Sequence, residues 1–132
     1  MKKNRVVALL IGVGLLASVT LVAHHSVSAE FDTSKRITFT GTVKKVDWMN
    51  PHIYTHVEVK EADGKVIVYK VEGGAPNSLY RRGIRPESLA PGTIVTCTNC
   101  SRSKSPTSTN VNGPLTRQDG SAALGAPGSP QN

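Results

Sequence analysis

Between Ile37 and Thr98 apolar and polar residues alternate with a period of two, and the breaks in that alternation divide the chain into strands. Residues 37–48 read Ile-Thr-Phe-Thr-Gly-Thr-Val-Lys-Lys-Val-Asp-Trp. Ile37, Phe39 and Val43 alternate with threonines among β-branched neighbours, which predicts a first strand. Gly41 inside it predicts a bulge where the strand bends. Asn50-Pro51 interrupts the pattern, and Ile53, Thr55, Val57 and Val59 then share one face of a second strand over residues 52–60. Ala62-Asp63-Gly64 is a hairpin turn signal. In the return strand, residues 65–72, Val66 and Val68 fall on one side and Ile67, Tyr69 and Val71 on the other. Apolar residues on both sides predict a strand covered on both faces.

Gly73-Gly74 ends this run. Pro76-Asn77-Ser78 starts a short helix through Leu79, Tyr80 and Arg82 with Gly83 as its stop, and residues 85–89 predict one more helical turn. Pro91-Gly92 is a turn and residues 93–98 form a fourth strand. Beyond Cys100 the pattern fades: Ser, Thr, Pro, Gly and Asn make up 20 of residues 101–132, too polar a composition to offset its own ordering entropy. Val111 and Leu115 mark a weak fifth strand, and the chain after Arg117 reads as disordered. This order predicts an all-β domain with one short helix, a small five-stranded Greek-key barrel of the OB type, over residues 36–117. An N-terminal segment at 24–35 precedes it and a disordered tail at 118–132 follows. An open β-sandwich fragment is the rival architecture.

The amino terminus follows a different pattern. Lys2, Lys3 and Arg5 precede an apolar run from Val6 to Val22, Ala23 ends it, and the chain turns polar at His24. A basic start, an apolar middle and a small-residue end read as a secretory signal over residues 1–23. The alternative is an uncleaved anchor, since Val6–Ala23 lies at the lower length limit for a span. Ala29, with Val27 at the third position back, is a better local cut than Ala23, which has the larger Leu21 there, but it would remove His24 and His25. Without the first 23 residues, 109 remain with 13 basic and 9 acidic side chains, net +4 against +7 for the whole chain. Such a chain holds one small core, which argues against a two-layer α/β enzyme or a multispanning membrane protein.

The candidate chemistry is sparse. A free His24 would chelate Cu²⁺ through its amine and ring nitrogen, with His25, His52 or His56 supplying a further nitrogen, because copper suits nitrogen-rich tetragonal sites. His52 and His56 flank Tyr54 on one strand face about 13 Å apart at the usual rise, too far to share an ion. Each also reads as a strand histidine with local hydrogen bonds. Asn50-Pro51 presents Trp48 and His52 on a stiff corner, and Trp48, Tyr54 and His56 make a candidate ligand surface, although a core or lid position is the more usual role for Trp48. Arg81, Arg82 and Arg85 make a candidate patch for anionic surfaces; export removes the usual nucleic-acid partners. Cys97 and Cys100 predict a local disulfide in an exported chain. Their Cα atoms would be about 10 Å apart in an extended strand, so Thr98-Asn99 must turn, and Asn tolerates the left-handed region. Ser101 stands where a c-type haem motif needs His. Ser101-x-x-Lys104 has no companion motif and carries no acyl-transfer reading. No catalytic constellation emerges.

Several of these segments together resemble one family: Ala23-His-His-Ser, Thr-Gly-Thr-Val-Lys-Lys-Val-Asp-Trp-Met-Asn-Pro-His over 40–52, the Asp-Gly turn, Gly-Ala-Pro-Asn-Ser-Leu-Tyr-Arg-Arg-Gly over 74–83, and Ser-Leu-Ala-Pro-Gly over 88–92. The family comprises small exported bacterial proteins catalogued as a domain of unknown function, and the likeness covers roughly residues 24–117. It implies export, a β-barrel-like fold and a mature chain beginning at His24, and it supplies no activity or catalytic residue. The chain departs from it at 97–106, where the family usually has a Gly, an aromatic and a basic residue. The expected function is therefore a non-enzymatic exported module binding copper or a small ligand. A structural or interaction protein recognising anionic surfaces is the alternative.

Overall fold

The computed structural model describes residues 26–124; the expected signal over residues 1–23, His24, His25 and the last eight residues lie outside them. A five-residue helix α1 (Ser26–Glu30) runs straight into a 17-residue strand β1 (Phe31–Asp47). There follow β2 (Tyr54–Lys60), β3 (Val66–Glu72), helix α2 (Pro76–Arg81), a 3₁₀ turn (Pro86–Leu89), β4 (Ile94–Ser103) and three short strands, β5 (Asn110–Asn112), β6 (Leu115–Arg117) and β7 (Ala122–Leu124). The strands lie in the order β1-β2-β3-β5-β4-β6-β7, and β1 also pairs with β4. Five strands, β1, β2, β3, β5 and β4, thereby form a closed ring. Every ladder in it is antiparallel except β3 with β5.

The ring's interior takes one side of each strand. Phe39 and Val43 of β1, Val57 of β2 with Ile53 before it, Tyr69 and Val71 of β3, Val95, Cys97 and Cys100 of β4, and Val111 of β5 form one buried cluster with Leu79 and Leu89. Phe39 and Tyr69 stack with ring centroids 4.3 Å apart. Each fully buried aliphatic side chain contributes about 1.5–3 kcal/mol, so this cluster is the main source of cohesion. Pro76 opens α2, where its missing N–H costs nothing. Gly83, at φ 76°, closes it by letting Ile84 N–H return to the Leu79 carbonyl.

Several expectations need correction. Val66 and Val68 are 54% and 39% exposed, because only the Ile67-Tyr69-Val71 side of β3 faces the core and the other side has no covering layer there. The register irregularities of β1 lie at 32–36, 37–39 and 43–45, the last two on either side of Gly41. Gly41 itself answers to crowding: a Cβ there would come within 2.8 Å of the Val57 and Val59 side chains and closer still to the Glu58 carbonyl oxygen. β1 begins at Phe31, six residues before the strand start expected at Ile37. β4 continues past the cysteines to Ser103, and Val111 and Leu115 lie in two separate strands. Residues after Arg117 turn at Gly120 into β7, whose Ala123 and Leu124 are fully buried. An average over a polar tail conceals two residues that pack.

Candidate functional site

The register sets the first residue of β2, Tyr54, opposite the last residue of β3, Glu72. His52, two residues earlier on the same side, reaches the same carboxylate: its Nδ1 donates to Glu72 Oε1. Glu72 alternates with core-facing Val71 and so projects from the outer side of the ring, yet it is only 4% exposed. Its other oxygen, Oε2, is buried without a hydrogen-bond partner, and so is Nδ2 of Asn112, its neighbour across the β3–β5 ladder. Burial pushes the Glu72 carboxyl up, the His52 imidazole draws it back, the Glu30 carboxylate raises it further and Lys70 lowers it.

Tyr54 and Glu30 complete this corner. Lys70 Nζ sits 4.1 Å from the centre of the Tyr54 ring, and burial, together with the charges of Glu72 and Glu30, raises the Tyr54 hydroxyl. Glu30, the last residue of α1, accepts a long hydrogen bond of 3.5 Å from Asn110 Nδ2. The segment immediately following His24 and His25 is thus held against the same side of the ring as the His52–Glu72 pair.

The other candidate residues are distributed elsewhere. His56 Nε2 lies 2.7 Å from Asp47 Oδ2, while Lys45 holds Asp47 Oδ1 at 2.8 Å. Those two partners, Lys45 first, keep the Asp47 carboxyl below its ordinary range. Trp48 packs against the core with its ring centroid 5.5 Å from that of Tyr80, and its Nε1 is buried without a partner. The three arginines are not equivalent. Arg85 lies over the Tyr80 ring and donates to the Tyr80 and Ile84 carbonyls, Arg82 has Nε and Nη2 buried without partners, and Arg81 is exposed. No three His, Cys, Asp or Glu side chains converge on one point among the described residues.

Cys97 and Cys100 are joined in a disulfide with their Cα atoms 5.9 Å apart. Asn99 makes this possible as the one non-glycine residue at positive φ, 53°, among those described. The turn is held from β1: Asn99 N–H donates to Thr38 Oγ1, and Arg36 Nη1 donates to the Asn99 carbonyl. A bonded pair fits an oxidising compartment. Sequence reasoning missed Glu72. Its available signal was an acid ending an apolar strand just before Gly73-Gly74.

Fold and site together define a small closed β-barrel bearing a carboxylate-held histidine at one end and no recognisable catalytic set among the described residues. The chain belongs to the family of unknown function DUF6152, whose model matches residues 13–111. No curated protein and no solved structure matches it significantly. No described helix is long and apolar enough to cross a membrane.

Proposed function

We propose that this protein is an exported binding module, an OB-type barrel that takes up a copper ion at the His52 corner. The observation that carries this reading is the His52–Glu72 pair. Histidines that bind metals usually donate their second ring N–H to a carboxylate, which fixes the tautomer, orients the ring and strengthens the free nitrogen as a ligand. His52 has that arrangement: Nδ1 is engaged by a buried carboxylate and Nε2 has no partner among the described residues. Its side chain is 32% exposed, so an ion can approach it. His56 is a weaker candidate because its Nε2 is already held by Asp47. With cleavage after Ala23, the terminal amine, His24 and His25 supply the remaining nitrogens, directly upstream of the segment that places Glu30 beside Glu72. Nitrogen-rich sites of this kind favour Cu²⁺.

Titrating Cu²⁺ into the mature protein and its variants tests this. His52→Ala and His24→Ala are each expected to weaken binding at least tenfold, Glu72→Gln by roughly 10–100-fold as for other groups that orient a ligand, and His56→Ala hardly at all. One extra residue before His24 is expected to weaken it as well. Equal affinities across the set would refute the reading, as would an intact mass for the exported protein that begins at Glu30. The alternative, recognition of anionic surfaces by Arg81, Arg82 and Arg85, has less support, since Arg85 is committed to the Tyr80 carbonyl and ring.

A further inference from the structure

A polar recess lies at the far end of β4. It has a volume of about 230 Å³ and is lined by Lys35, Arg102, Ser103, Lys104, Ser105, Pro106 and Ser108. Pro106 is the only apolar residue among them. The volume falls below the ~300–1,000 Å³ of pockets that enclose drug-sized organic molecules. The lining brings three permanent cations and three serine hydroxyls together, a combination suited to a small oxyanion.

The backbone is arranged to produce this cluster. β1 pairs Asp32 with Arg102 and then Arg36 with Ser101, so Thr33, Ser34 and Lys35 loop out of the ladder with no residues of β4 opposite them. That three-residue excursion carries Lys35 to the rim of the recess. The far wall is a turn fixed by its own serines: Ser105 N–H donates to Ser103 Oγ, Ser108 N–H to the Ser105 carbonyl, and Asn110 N–H to Ser108 Oγ. Lys104 is fixed twice, by its backbone N–H to the Glu30 carbonyl and by Nζ to the Ser28 carbonyl. The Arg102 guanidinium has no partner among the described residues, and its five donors are free.

Two acids lie nearby and neither neutralises the recess. Asp32 accepts from Ser34 N–H and Oγ, and its contact with Lys35 is long at 3.5 Å. Those same neighbours, Ser34 first, hold its carboxyl below the ordinary range. Glu30 directs its carboxylate to Asn110. Three cations among the lining residues against these two acids leave the recess with a net positive charge.

We infer that this recess binds a tetrahedral oxyanion of the phosphate class, with the Arg102 guanidinium as the bidentate clamp and Lys35, Lys104 and the serine hydroxyls around it. The recess shares no lining residue with the His52–Glu72 pair, so its test is separate from that of the copper reading, although Glu30 lies beside both. The same chemistry is offered by free phosphate and by a phospholipid headgroup, and the test separates the two.

The experiment follows backbone amide shifts of the mature protein in two titrations. One uses inorganic phosphate, with chloride at matched ionic strength as reference. The other uses phosphatidylcholine vesicles with or without one-third phosphatidylglycerol. Saturable shifts at residues 102–108 with phosphate, weakened tenfold or more by Arg102→Ala and unchanged by Arg81→Ala, support a soluble phosphate ligand. Binding confined to the phosphatidylglycerol vesicles, with the same dependence on Arg102, supports a lipid headgroup. Arg102→Lys, which keeps charge but not the fork, is expected to recover only part of the affinity. The inference is overturned if neither ligand saturates these residues, or if Arg81→Ala weakens binding as much as Arg102→Ala.

Discussion

Replacing His52 with Ala removes the only hydrogen-bond donor to the Glu72 carboxylate among the described residues. Both carboxylate oxygens then lie in a site 4% exposed to water. If the group stays ionised, leaving an uncompensated buried charge costs about 3–5 kcal/mol. It has another course, which is to take a proton, and burial already pushes it that way. Once neutral, the loss falls to that of an unsatisfied polar group, about 1–3 kcal/mol. A carboxyl raised in the folded state binds its proton more readily there than in the unfolded chain, so stability declines as pH rises from the ordinary carboxylate range through the raised folded value. Removing the imidazole takes away the strongest influence opposing that rise. The destabilisation by His52→Ala is therefore expected to be small near pH 4 and to grow toward pH 8. Urea unfolding across that interval measures it. In a Glu72→Gln background the added loss from His52→Ala should no longer grow with pH, because no charge remains at that site to be buried. A loss that is equal at every pH, or one that still grows with pH in that background, would refute the reasoning.

Three further outcomes follow from other parts of the fold. Asn99→Val should cost about 1–2 kcal/mol because a β-branched residue resists positive φ, whereas Asn99→Gly should be nearly neutral in thermal melts; equal losses would sink this account of the turn. Gly41→Ala should destabilise by roughly 1–3 kcal/mol or more through overpacking against β2, and an unchanged urea midpoint would contradict the close approach at Glu58. Reducing the Cys97–Cys100 bond, which closes a very short loop, should cost only about 2 kcal/mol. The reduced protein should therefore keep its β-type circular dichroism, and complete unfolding on reduction would show the estimate to be wrong.

The ring of strands was legible because burial on one side imposes a period of two, and Phe39, Val43, Val57, Tyr69 and Val95 carry that period without interruption. Asn99 was equally legible: two cysteines three residues apart on a strand cannot bond unless something between them turns. The His52–Glu72 pair was not. The turn at 62–64 predicts the hairpin, but nothing local to either residue reports that the Glu72 carboxylate is buried against His52, and charge in a strand ordinarily signals exposure. β7 was lost for a related reason, since Ala-Ala-Leu is too short to register against Ser, Gly and Pro. The oxyanion recess depends on three residues looping out of β1 opposite an unbroken β4, a register event with no signature in composition.

The parallel seam between β3 and β5 has a consequence for how the chain is made. Asn110–Asn112 is the piece that fits between β3 and β4 and completes the circle, and it is the last strand of the ring to leave a ribosome or a translocation channel. Until it emerges, β1 to β4 have no closed arrangement, and their ordering entropy is not offset by the shared interior. The final closure brings together residues about forty positions apart, a non-local step that slows folding relative to a helical domain of the same length. A polypeptide whose last essential strand arrives so late remains threadable through a narrow pore for most of its synthesis, and truncation just before residue 110 should leave an open, association-prone sheet.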